Sequence, residues 1–144
     1  MRTFKSSALC VAALTALLCG GMERTVEAAP APPLTAVRIG AVWTPAQGTE
    51  YIPLGAMSTV RDHGGNRIEF ATVETGYGRT VSATFNGLRA TQFESQPIVA
   101  RDRTVIGWVR YWRVNTNVRS GRIEYSSDSI VYPWRRQSTS LWVR

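Results

Sequence analysis

The stretch Thr80–Thr91, TVSATFNGLRAT, decides the fold class. Val81, Ala83 and Phe85 alternate with Thr80, Ser82 and Thr84, the period of a half-buried strand. Asn86 and Gly87 follow at once. Both tolerate the positive φ of a type I′ turn, so this pair between two apolar runs predicts a tight hairpin. Leu88 to Thr91 should then return antiparallel.

Working outward, the same kind of run recurs at Ala36–Trp43, Met57–Arg61, Arg67–Thr75, Val105–Val114, Gly121–Ser126 and Ser138–Val143. Clusters of turn formers separate them, for example His63–Asn66, Gly76–Gly78 and Asn115–Asn117. No stretch beyond residue 28 sustains a helical period. The expectation is all-β: a single-domain antiparallel β-sandwich or barrel built from hairpins.

The first 28 residues read differently. Arg2 and Lys5 precede the uncharged apolar run Ala8–Leu18, and small residues follow, the pattern of a cleaved secretion signal. The run is too short to span a bilayer as a helix, so no transmembrane segment is expected in the mature chain. Cleavage fits after Gly21 or after Ala28, and the prolines at 30, 32 and 33 favour Ala28 by making an extended start over 29–34. Residues 35–144 are then one β-domain, secreted to the periplasm or the medium. Cys10 and Cys19 fall in the signal, so the domain has no thiol and packing must hold it together.

The net charge of +7 is uneven along the chain. Residues 29–96 hold five arginines against five carboxylates; residues 97–144 hold nine arginines against Asp102, Glu124 and Asp128. Aromatic residues are interleaved with the second set. Every basic residue after the signal is arginine, whose planar fork pairs with phosphate or carboxylate and stacks on rings. A codon bias would produce the same composition.

The candidate binding residues are Trp134, Arg135 and Arg136, in a loop after Pro133, with Arg110, Trp112 and Arg113 on the strand Val105–Val114. Such rings and guanidinium groups could stack on sugars or bases and contact phosphates. On that strand the competing reading is burial on both faces, with the rings in the core.

Catalytic signals are weak. His63, the only histidine, follows Asp62 and precedes Gly64 and Gly65; the pair invites acid-base chemistry, but the run equally reads as a hairpin turn. Adjacent strand residues point to opposite faces, so Asp62 need not orient His63. Glu69 and Glu74, five apart on one strand, should likewise face opposite ways. One histidine and no cysteine after the signal leave out the usual zinc sets, and neither a nucleophile elbow nor a phosphate-binding glycine loop is present. No metal and no cofactor are expected.

One spaced set is more specific than any single motif: Asp62-His63-Gly64-Gly65, Glu74, Gly76-Tyr77-Gly78, Asn86-Gly87, Gly107-Trp108, Trp112 and Pro133-Trp134. It resembles the small secreted bacterial proteins of the YolA type, a domain of unknown function, from about Ala29 to the end. That resemblance implies export and one compact domain, and it carries no functional residues. The expected function is a non-enzymatic binding protein for an anionic polymer, cell-envelope glycan or nucleic acid at a cell surface. The alternatives are an antibacterial effector or small hydrolase using His63 with a carboxylate from another strand, and a structural or protein-binding role.

Overall fold

The structure, a computed structural model, describes residues 29–144; the expected signal segment lies outside the described residues. Nine strands run through them: β1 (Ala36–Thr44), β2 (Gly48–Tyr51), β3 (Ile68–Thr75), β4 (Gly78–Phe85), β5 (Leu88–Arg89), β6 (Thr91–Val99), β7 (Val105–Val114), β8 (Gly121–Ser129) and β9 (Arg136–Val143). They form two antiparallel sheets, a five-stranded one in the order β2-β1-β3-β7-β6 and a four-stranded one in the order β5-β4-β8-β9. The sheets stack as an open sandwich and do not close into a barrel.

The hairpin at Asn86-Gly87 forms as its residues require. Phe85 pairs with Leu88, and both turn residues have positive φ, 50° and 78°. Asn86 also receives the Arg122 N–H on Oδ1 at 2.9 Å, which ties the turn to β8. The returning strand is shorter than expected: β5 holds two residues before Ala90 N–H bonds to Ala83 O and the chain crosses to the other sheet as β6. A tight crossover also joins β3 to β4. Gly76, at φ 93°, sits where a Cβ would lie 2.0 Å from the Pro33 carbonyl oxygen, so only glycine fits.

Two strands were not anticipated. β2 is four residues long and its burial barely alternates. β6 is a polar edge strand carrying Pro97 and a bulge at Phe93, which break the period-2 pattern. Conversely, Met57–Arg61 is not a strand. It belongs to the β2–β3 crossing loop, where Ser58 makes a lone bridge to Trp142, and the Val60 and Arg61 N–H groups donate to the Glu50 carboxylate instead of a neighbouring strand.

The core lies between the sheets, with Val42, Ile68 and Phe70 on one side meeting Phe85, Ile123, Leu141 and Val143 on the other. The strand β7 departs from the reading of burial on both faces. Trp112 and Val114 are buried between the sheets, while Tyr111 and Arg113 lie half-buried on the outer face, which no other described strand covers. Glu69 and Glu74 do point opposite ways: Glu69 outward, Glu74 into the core.

Candidate functional site

Two strongly exposed aromatic residues with an exposed cationic neighbour lie at one end of the sandwich, in the loop between β8 and β9. Its base is held by Ser129, whose hydroxyl donates to Val131 O at 2.6 Å and accepts Leu34 N–H at 3.1 Å. Ser129 N–H bonds to Arg135 O, and Ile130 N–H reaches Tyr77 O in the β3–β4 crossover. With its ends tied in this way, the loop holds Tyr132 and Trp134 outward, 75% and 74% exposed. The rings meet edge to face at 5.7 Å. Arg135 beside them is exposed and has no carboxylate partner among the described residues. The β6–β7 hairpin at the same end adds exposed Arg101 and Arg103. Asp102 between them is turned to its own loop, where the Thr104 N–H holds its carboxyl below the usual range.

The other residues singled out by sequence are not brought to this loop as free groups. Arg136 is locked on Asp128 through two hydrogen bonds, 2.7 and 3.0 Å, and each partner strengthens the charge of the other. Trp112 is 5% exposed and donates its indole N–H to Thr72 Oγ1. Arg110 points inward: its Nε–H donates to Glu74 Oε2 at 3.0 Å and a terminal nitrogen donates to Gly78 O. Arg113 lies on the outer face of the five-stranded sheet, donating to Glu69 at 2.8 Å.

Residues 29–143 match the family model described as a domain of unknown function, DUF4879. The chain belongs to this family. No curated protein and no solved structure matches it.

The DUF4879 domain contains two buried polar clusters that sequence reading could not assemble. In the first, the Tyr125 hydroxyl donates to Glu74 Oε1 at 2.6 Å and accepts from the Thr80 hydroxyl at 2.9 Å, so Glu74, Arg110, Tyr125 and Thr80 bridge the two sheets. Burial, then the bond to Glu74, push the Tyr125 phenol up to about 12.

The second cluster centres on His63. Its side chain is fully buried; Nε2–H donates to Glu50 Oε2 at 3.1 Å, and Nδ1 is hydrogen-bonded to the Thr44 hydroxyl at 3.0 Å. The carboxylate that meets His63 therefore comes from β2, while Asp62 is exposed and takes no part. Glu50 Oε1 also accepts Val60 N–H at 2.7 Å, and Oε2 accepts Arg61 N–H at 3.0 Å. The DUF4879 domain uses this set as a clamp on the crossing loop, since both ring nitrogens are occupied and no face of the imidazole reaches solvent. The sequence signal for it was the lone histidine; its partner was invisible because the two are joined only by the β1–β2 hairpin folding over the loop. Among the described residues no group of three or more His, Cys, Asp or Glu is placed to hold a metal.

Burial works to raise the Glu50 carboxyl, but the Val60, Arg61 and His63 donors outweigh it and hold the group below its ordinary value of 4.5. A carboxyl lowered by folding contributes stability that is complete above its unfolded pKa and is lost as pH falls through the folded one. Urea midpoints should therefore drop between about pH 4.5 and the lower folded value, and the drop should be shallower in Glu50→Gln. Equal slopes in the two proteins would remove Glu50 from the acid response.

Proposed function

We propose that this domain is an exported, non-enzymatic binding protein that engages an anionic polymer through the β8–β9 loop. The observation that carries the reading is the juxtaposition of exposed Tyr132 and Trp134 with Arg135, which has no carboxylate partner among the described residues. Exposed rings offer a stacking surface indifferent to sequence, and a guanidinium without a carboxylate is free for phosphate, sulfate or carboxylate oxygens. Arg101 and Arg103 extend the positive field at that end. Export is supported by the signal pattern of residues 1–28 and the resemblance to YolA-type proteins. A hydrolytic role for His63 is disfavoured by the enclosure of its imidazole.

Heparin and single-stranded DNA are the probes. Affinity for one or both should fall steeply with salt, because each polymer contact releases counterions. The pair of changes Trp134→Ala and Arg135→Ala should cost about 1–3 kcal/mol of binding, and Arg135→Ala alone should reduce the salt slope by about 0.7–0.9. Thermal midpoints should stay unchanged, since both side chains are exposed. Binding that ignores ionic strength, or survives the double change, would remove the loop from the account.

A further inference from the structure

The outer face of the five-stranded sheet, which no other described strand covers, carries ordered rows of aromatic and charged side chains. Strand register puts Thr49, Trp43, Glu69, Arg113 and Thr91 in one row across β2, β1, β3, β7 and β6. The next row is Tyr51, Ala41, Ala71, Tyr111 and Glu94. Two alanines at the centre of the second row leave a shallow trough of about 210 Å³ between larger neighbours. Trp43 stands on one side; Tyr111 and Phe93 stand on the other, with their rings 6.2 Å apart. Two inter-strand steps, about 10 Å, separate β1 from β7, which leaves room for a flat ring between the aromatic walls.

Glu69 lines the trough, and Arg113 and Arg67 meet its carboxylate from beside it. The Arg113 guanidinium lies 4.6 Å over Phe93 and donates to Glu69 Oε1, while that of Arg67 lies 4.8 Å over Trp43. Arg67 Nε sits 3.3 Å from the same oxygen without hydrogen-bonding geometry. This buried N–H and Glu69 Oε2 both lack a hydrogen-bond partner among the described residues. Held planes of this kind supply an acceptor and donors at the edge of an aromatic wall, at little cost in side-chain freedom.

We propose that this trough binds a pyranose unit of a neutral glycan chain. A pyranose presents C–H groups on its faces and hydroxyls around its rim, which matches aromatic walls flanking the Glu69–Arg67–Arg113 strip. Glu69 and, in the next row, Glu94 balance the guanidinium groups of Arg67 and Arg113, so this face has no net charge to favour an acidic sugar; the Glu69 carboxylate accepts from a sugar hydroxyl and the guanidinium groups donate to sugar oxygens. An extended peptide fits less well, because the face of a sheet offers its main chain no free N–H or C=O partners. The row from Thr49 to Thr91 spans four inter-strand steps, about 19 Å, so a chain can cross the sheet with one ring seated in the trough.

The test is NMR titration of the 15N-labelled domain with hexasaccharides of glucose, N-acetylglucosamine and mannose, with oligogalacturonate as the acidic comparison. At about 10 mM, at least one neutral chain should shift Trp43, Ala71 and Tyr111, and raising the salt should leave the shifts unchanged. The change Ala71→Phe, which fills the trough at a strand position that favours aromatic residues, should weaken binding at least about tenfold while the fold is kept. Tyr111→Ala should weaken it in the same way. The double change Trp134→Ala and Arg135→Ala should not affect it, which keeps failure of this site distinct from failure of the loop site. Unmoved trough resonances with every neutral chain, binding of the acidic chain alone, or undiminished binding by folded Ala71→Phe would each overturn the proposal.

Discussion

Replacing Arg110 by methionine is expected to lower the unfolding free energy by about 3–5 kcal/mol, the cost of leaving a buried charge without its partner. Glu74 is 0% exposed, and its two oxygens are taken up by Arg110 Nε–H and the Tyr125 hydroxyl. Methionine keeps most of the aliphatic stem of arginine but removes the only cation among the described residues that touches this carboxylate, and it also takes the Arg110 donor from Gly78 O. The loss is a large share of the roughly 5–15 kcal/mol that holds a domain of this size folded. Urea unfolding should show a lower midpoint with an unchanged m-value. Adding Glu74→Gln should recover part of the loss, because a neutral amide can keep the Tyr125 bond without needing a cation; the two changes are in contact and must not add. A deficit below about 1 kcal/mol in Arg110→Met would mean that Glu74 is not held as a buried anion.

The second large effect is expected at His63. His63→Ala removes two buried hydrogen bonds and leaves a hole beside Glu50, for a combined cost of about 2–4 kcal/mol. The damage should be local first. The crossing loop is bound to the rest of the domain by Glu50, by Thr59 N–H to Trp142 O, and by His63 N–H to Arg144 O. Loosening the imidazole should speed amide exchange at Val60 and Arg61 before it affects the hairpin around Asn86. Asp62→Ala should stay within about 0.5 kcal/mol of the parent, as an exposed surface change does. A His63→Ala protein with full stability and unaltered exchange would refute the clamp.

Both effects lie in partnerships that linear order hides. The excess of arginine in residues 97–144 looks like a basic surface, yet Arg110 and Arg113 pair with Glu74 and Glu69 from the neutral first part. Antiparallel pairing of β3 with β7 joins the two halves, so the charge asymmetry along the chain does not become an equal asymmetry on the surface. Arg101, Arg103 and Arg135 have no such pair among the described residues, and they share one end of the sandwich. Trp134 was legible as a loop residue from the proline before it, but its exposure depended on how Ser129 and Tyr77 anchor the loop. The aromatic trough was not legible at all. Trp43, Ala71, Phe93 and Tyr111 come from four strands, one of which, β6, has a bulge that turns Phe93 outward and hides the strand's period.

Local chemistry thus determined the all-β class, the Asn86-Gly87 hairpin, the full extent of β7 and the opposite facing of Glu69 and Glu74. Those properties depend on period-2 alternation and on the φ that two turn residues tolerate, and neighbours in sequence carry both. Sheet order, the crossing loop in place of a strand at Met57–Arg61, and the partners of His63, Arg110 and Arg113 were decided only in the tertiary structure. The physical reason is that a buried charge or imidazole requires a partner but does not specify where in the chain it comes from; the stacking of the two sheets makes that choice.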